Sequence, residues 1–330
     1  MNSVFALIGV LLLILSVFLG VGVANLHFLF GVIIPYAAIA SFLPGIVYRV
    51  LKWAASPVPF RIPTTTGQQK SLPWIKESKL DNPSTALGVI GRMALEILFF
   101  RSLFRNTKAE LRKGPVLVYG SSKWLWLGGL AFHWSFLYIF LRHFRYFSEP
   151  IPGFVLAMQS LDGFFQIGLP VFYASDFILI GALTYLLMRR YVNAQVKYIS
   201  LLSDYFPLFL LLAIAISGVL MRHIYKVDII EVKALIMSLL QFKPVISDKI
   251  GVIFYIHFFL VCTLFAYFPF SKLLHGPGIF LSPTRNLANN NRMKRHVNPW
   301  DYPVKVHTYE EWEEEFRDKI KASGLPLEKE

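Results

Sequence analysis

The stretch that most constrains this chain is Ile250–His275, IGVIFYIHFFLVCTLFAYFPFSKLLH, which is long and apolar enough to cross a bilayer. It nevertheless carries a histidine near its start, His257, and another at its end, His275. A second apolar run, KWLWLGGLAFHWSFLYIFLRHF (Lys123–Phe144), carries His133 and His143. Ionisable groups inside a membrane are costly and mark functional positions. Hydrocarbon satisfies no backbone polar group, so runs of this kind fold as helices.

Composition agrees. Across 330 residues, 55% are hydrophobic and the mean hydropathy is +0.52, values of an integral membrane protein rather than a string of soluble domains. The formal net charge of +13 is gathered between the apolar runs and in the tail. That pattern sets topology and meets anionic lipid headgroups, and it argues against nucleic acid as a partner. The single cysteine, Cys262, lies mid-span as a small buried apolar residue and has no disulfide mate. No CxxC or CxxCH occurs, so this chain holds neither an iron–sulfur cluster nor covalent c-type haem. Metal-protease, P-loop, dinucleotide and nucleophile-elbow patterns are absent as well.

The expected architecture is an all-α integral membrane protein with six transmembrane helices. Val4–Val23, with no basic segment before it, is read as a retained span, and residues 1–24 form an N-terminal helix. Phe28–Leu51 is the second span (25–52), with Pro35 and Pro44 as possible kinks and His27 as an interfacial residue at its mouth. Residues 53–122 form a basic loop, within which Asn82-Pro83-Ser84 opens an amphipathic helix through Phe104 that lies in the headgroup layer. Residues 123–275 hold the remaining spans: about Lys123–Phe144, Leu169–Met188, Tyr205–Met221 and the stretch closing at His275. The positive-inside rule places the basic loop in the cytoplasm and therefore both termini there, in a multi-pass protein of the cytoplasmic (inner) membrane. Residues 276–330 form a cytoplasmic tail with a Thr308-Tyr309-Glu310-Glu311 capping box before Trp312, Phe316 and Ile320, a helix expected to dock a partner subunit.

Neutral imidazole is a common axial ligand of haem iron, and two helices with two histidines each supply four ligands for two haem b groups. The third and sixth spans are antiparallel, so His133 pairs with His275 and His143 with His257. The rises are unequal, about 15 Å over ten residues against about 27 Å over eighteen. A tilt, a bend at Pro269 or a His275 beyond the helix end would reconcile them. The competing reading is a set of hydrogen-bonded membrane histidines. Asp176, in the fourth span, needs a salt-bridge partner or serves a proton path.

These residues resemble the respiratory nitrate reductase gamma subunit family, a dihaem cytochrome b that oxidises quinol. The resemblance covers about Phe28–His275, five of the six spans. It is carried by FPFSKLLH (Phe268–His275), Leu187-Met188-Arg189-Arg190, Asp204, Gly218 and the histidine spacing. The extra first span, the basic loop and SPTRNLANNNRMKRHVNPW (Ser282–Trp300) resemble the DsrM family, the cytochrome b subunit of the Dsr membrane complex of sulfate reducers. That complex is also called the Hdr-like menaquinol-oxidising complex.

The resemblance implies His133, His143, His257 and His275 as haem iron ligands and menaquinol (menaquinone) as substrate. It also implies a cytoplasmic iron–sulfur partner resembling the heterodisulfide reductase catalytic subunit, with further membrane and extracytoplasmic redox subunits. By position, Arg142 and Arg145 are candidates for outer haem propionates and Lys123 and Lys272 for inner ones. Arg222, His223, Glu149 and Asp162 are candidates for an outer quinone site. Two other classes fit the chain: a membrane anchor without haem that docks a soluble redox partner, and a transporter. For the transporter, the spans offer neither an obvious inverted repeat nor many paired charges.

Overall fold

A computed structural model describes residues 1–56, 69–114, 116–166, 170–282, 285–293 and 305–328. Arg61, Leu169, Lys294, Arg295 and the 294–300 part of the asparagine-rich tail motif lie outside the described residues.

Helix α1 (Asn2–Gly22) buries Ala6, Val10, Val17 and Val21 along one face and leaves Phe5, Leu12 and Leu15 exposed on others. Spacings of four and seven put the buried set on one helical stripe. A π-helical turn, Leu29–Ile33, leads into α2 (Ile34–Ala54), which continues through Pro44 without a break. In the loop that follows, α3 (Ala86–Phe99) starts at a Thr85 cap and stops because Phe100 adopts a left-handed conformation (φ 50°). The expected helix to Phe104 is therefore split, with α4 (Arg101–Arg105) as a separate turn. Strands β1 (Thr107–Arg112) and β2 (Val116–Ser121) form an antiparallel hairpin turned at Gly114 (φ 78°), a feature the all-α expectation lacked.

Helix α5 (Lys123–Arg142) passes at His143 into a 3-10 turn. The segment after it folds into α6 (Gly153–Asp162) and a short ladder of β3 (Gly163–Phe165) with β4 (Phe172–Tyr173). Next come α7 (Ala174–Val192), α8 (Ala194–Ile199), α9 (Leu202–His223), α10 (Ile229–Leu240) and α11 (Val252–Tyr267). The short α12 (His275–Phe280) and the tail helix α13 (Tyr309–Ala322) complete the chain.

Among the described residues, five helices are long and apolar enough to cross a membrane: Asn2–Gly22, Leu29–Ala54, Lys123–Tyr146, Leu202–His223 and Val252–Phe270. The fourth expected span corresponds to α7, whose Asp176, Arg189 and Arg190 lower its hydropathy. It packs lengthwise between α5 and α9 all the same.

Two of the interior clusters join the long helices. Val10, Leu210 and Leu260 join α1, α9 and α11, while Leu179, Leu183 and Leu211 join α7 and α9 beside Phe132 and Phe136 of α5. In lipid, close packing rather than water exclusion holds such helices together. At Gly128 a Cβ would stand 2.5 Å from the Tyr185 ring, so α5 and α7 meet there only because the residue is glycine. Gly128→Leu is expected to cost about 1–3 kcal/mol through overpacking, read as a lowered unfolding temperature in detergent.

Within Arg222–Lys249, α10 caps one end of the bundle. Val232, Leu235 and Leu239 enter a cluster with Val17, Val21, Phe30 and Tyr255. At the opposite end the tail folds back on the basic loop. Asn289 N–H donates to the Pro83 carbonyl (2.7 Å), its Nδ2 donates to Asn82 Oδ1 (3.0 Å), and Arg285 pairs with Glu96 (3.1 Å). Asp81 of the same loop pairs with Arg101 and Arg105. Burial works to raise its carboxyl, but hydrogen bonds from Arg101, Arg105 and Ser78 overcome this and hold it well below the usual carboxylate range. Its contribution to stability is present above the ordinary carboxylate pKa and lost only as pH falls through the depressed value.

Candidate functional site: two facing histidine pairs

Helix α11 ends at Tyr267, ten residues past His257, matching the His133–His143 rise on α5. From there the chain takes a 3-10 turn at Phe268–Phe270, an extended Ser271 (φ −115°, ψ 175°) and a second 3-10 turn at Lys272–Leu274. The mismatch between ten and eighteen residues is absorbed in this break after Tyr267, and His275 ends beside His133. Two contacts fix the break. Gly45 of α2 lies so close to Pro269 that a Cβ there would approach to 2.8 Å. Asp204 bonds the Leu201 N–H at the start of α9 (2.9 Å) and pairs with Lys272 (2.8 Å).

Two histidine pairs result. The ring centres of His133 and His275 are 5.8 Å apart with planes at 86°, and those of His143 and His257 are 6.4 Å apart with planes at 10°. Each Nδ1 already has a partner. His133 Nδ1 meets the Gly129 carbonyl (2.7 Å), His143 Nδ1 that of Ile139 (2.7 Å) and His275 Nδ1 that of Lys272 (2.9 Å). A carbonyl only accepts, so these three rings carry their proton on Nδ1 and keep the lone pair on Nε2. His257 Nδ1 meets Ser217 Oγ (3.0 Å), and the Ser217 hydroxyl is also within reach of the Ile214 carbonyl (3.0 Å). With the serine proton on Ile214, His257 donates from Nδ1 too.

Among the described residues no group of three or more His, Cys, Asp or Glu gathers to hold a metal ion. Two facing nitrogens cannot satisfy a bare ion. They do suit a metal whose remaining ligands come with a planar macrocycle. Two metal–nitrogen bonds of about 2 Å, plus roughly 1 Å from each nitrogen to its ring centre, give about 6 Å between ring centres, the separation of both pairs. The surroundings are aromatic: Phe100 and Phe132 meet His133 edge-on at 4.9 and 4.8 Å. Phe100 is placed by Trp126 and Trp134 of α5, which donate to the Phe99 (2.7 Å) and Leu98 (2.9 Å) carbonyls left open where α3 ends.

The other candidates are distributed unevenly. Arg142 is 7% exposed and pairs with Asp162 (3.1 Å) and Asp176 (2.6 Å), with Tyr173 against its guanidinium. Asp162 further accepts from Ser175 N–H (2.9 Å) and Oγ (2.6 Å). Arg142 and Asp162 are thereby committed to a buried ion cluster, and Asp176 finds in it the salt bridge its position required. Arg222 donates from Nε (3.1 Å) and Nη2 (3.0 Å) to the Val171 carbonyl, and His223 stacks on Phe172 at 4.3 Å. Glu149 pairs with Lys233, and Lys123 lies over the Phe104 ring. Arg145, half-buried beside Tyr146, forms no ion pair among the described residues. His27 meets Tyr255 edge-on at 5.2 Å, away from both pairs.

The family model of the nitrate reductase gamma subunit matches residues 94–296, the segment holding all four histidines. The chain belongs to the nitrate reductase gamma subunit family. Within reach of this family member are two curated relatives, both named Hdr-like menaquinol oxidoreductase cytochrome b-like subunit. The one from Archaeoglobus fulgidus is 47% identical over 280 residues, covering 83% of each chain. The one from Archaeoglobus profundus is 41% identical over 275 residues, covering 81% of each. Both matches are longer than the segment the family model covers. This family member is a multi-pass membrane protein.

Sequence reasoning missed Ser217 and Phe100. A serine in an apolar helix gives no signal of which neighbouring helix its hydroxyl faces, and the left-handed Phe100 has no local signature.

Proposed function

We propose that this chain is the dihaem b subunit of a membrane redox complex that carries electrons between menaquinol and a cytoplasmic iron–sulfur subunit resembling the heterodisulfide reductase catalytic subunit. What carries the reading is the convergence of four histidines in two facing pairs, each with Nδ1 hydrogen-bonded and Nε2 left for a metal. When bound, the two haems supply one-electron chemistry across the bilayer. The four histidines would hold the iron, with three backbone carbonyls and the Ser217 hydroxyl behind them fixing the rings and raising their basicity. The shared fold with nitrate reductase gamma subunits, and relatives named for menaquinol oxidoreduction, support the substrate class.

In this reading six helices cross the bilayer, α7 included, with both termini in the cytoplasm. The His143/His257 pair then lies on the outer side, beneath α6 and α10. Menaquinol would be oxidised there, its two protons leaving on the outer side, with Arg222, His223 and Glu149 around the site; Arg145 would pair with an outer propionate, and Lys123 and Lys272 with inner ones. The Arg142–Asp162–Asp176 cluster frames the site. Arg222→Ala and His223→Ala are expected to slow haem reduction by a menaquinol analogue at least tenfold while both haems stay bound, checked by stopped-flow absorbance. Unchanged rates in both, with the loss appearing in Asp204→Ala, would move the site to the cytoplasmic side.

The tail carries the docking role. Helix α13 leaves Trp312 44% exposed, while its capping box (Glu311 N–H to Thr308 Oγ1, 3.3 Å) holds it folded. Truncation after Met293 keeps the clamp of Arg285 and Asn289 on the loop. It is expected to leave haem content unchanged and to abolish co-purification of the iron–sulfur subunit. Partner recovered at wild-type stoichiometry would contradict docking through α13.

A further inference from the structure

Of the four Nδ1 contacts, three end on main-chain carbonyls three or four residues earlier in the chain, which no side-chain substitution removes. The fourth crosses between helices, from His257 on α11 to Ser217 on α9. We propose that Ser217 is a positioning residue for His257, setting the electron density on its Nε2 and hence the potential of the metal centre it shares with His143. The inference rests on the axial-ligand reading above.

The geometry is specific. Ser217 is 5% exposed, so no solvent competes for its hydroxyl. Its proton goes back to the Ile214 carbonyl (3.0 Å), which leaves an oxygen lone pair for His257 Nδ1–H at 3.0 Å. The two bonds polarise one another in the same direction. The next residue, Gly218, would bring a Cβ to 3.4 Å from His257 Cε1, so the α9 backbone runs against the imidazole at this level. An acceptor on Nδ1–H gives the ring partial imidazolate character and makes Nε2 a stronger donor. A stronger donor favours the ferric state and lowers the potential. The same bond fixes the ring orientation, here nearly parallel to His143 at 10°.

The alternative is a serine that merely bonds back to its own helix, as serines in membrane helices do. Redox titration of the haem-loaded full chain, followed optically and by low-temperature EPR, separates the two. Ser217→Ala is expected to raise the midpoint potential of one haem b and change its low-spin EPR anisotropy, leaving the other untouched. Ser217→Thr should restore both properties, and Ser217→Val, of the same shape as threonine, should behave like alanine.

Loss of that haem in the alanine and valine variants with retention in threonine would support the same assignment. Unshifted potentials and EPR signals in the alanine and valine variants, or equal loss of the haem in all three, would overturn it. Wild-type chain without haem b would instead sink the axial-ligand reading beneath it.

Discussion

Replacing either His143 or His257 by alanine is expected to halve the haem b content and to erase the same component of the redox titration. His133→Ala and His275→Ala are expected to erase the other. The expectation follows from ring centres 6.4 Å apart in the first pair and 5.8 Å in the second. A lone imidazole would leave the iron one strong ligand short, and the opposite member of each pair has no substitute among the described histidines: His27 faces Tyr255, His223 stacks on Phe172 and His307 lies in the tail beside Glu311. The two pairs also differ in plane angle, 10° against 86°, so the EPR component lost distinguishes which centre was removed. If His143→Ala and His275→Ala erase the same component, the pairing is wrong.

The second large effect is expected at Arg142. Its side chain is 9% exposed, and those of Asp162 and Asp176 are 6% and 13% exposed. Arg142→Met leaves two buried carboxylates without an ion-pair partner among the described residues, a loss on the order of 3–5 kcal/mol. Thermal unfolding in detergent should show the drop, with the segment from α6 to β4 first to gain proteolytic sensitivity, since Asp162 anchors it through Ser175. Adding Asp162→Asn and Asp176→Asn to Arg142→Met should recover most of the loss, because the cost lies in the unpaired charges rather than in the missing contact. Full stability of Arg142→Met alone would show that water already reaches the cluster.

Five of the six expected spans, and which histidine rings face each other, were legible because both rest on local arithmetic. A bilayer sets helix length, and 1.5 Å per residue sets the level of a side chain along an antiparallel partner. The same arithmetic exposed the mismatch between ten and eighteen residues but could not say how it closes. The answer depends on Pro269 packing against Gly45 and on Asp204 holding Lys272, contacts between residues far apart in sequence.

In Arg222–Lys249, Val232, Leu235 and Leu239 carry helical spacing among many charges. Only their burial against Val17 and Tyr255 shows that this helix caps the bundle. Arg142, placed by position near a propionate, had two carboxylates to choose from on α6 and α7, and nothing local to α5 announces them. The clamp between Asn289 and Asn82 is invisible for the same reason: it joins two loops 207 residues apart.

The central claim is that one chain binds two haems through four histidines. A pyridine haemochrome assay on the purified full chain, set against its protein concentration, tests it most directly. The account predicts two haem b per polypeptide. A value of one, or an absorption spectrum without b-type bands, would contradict it.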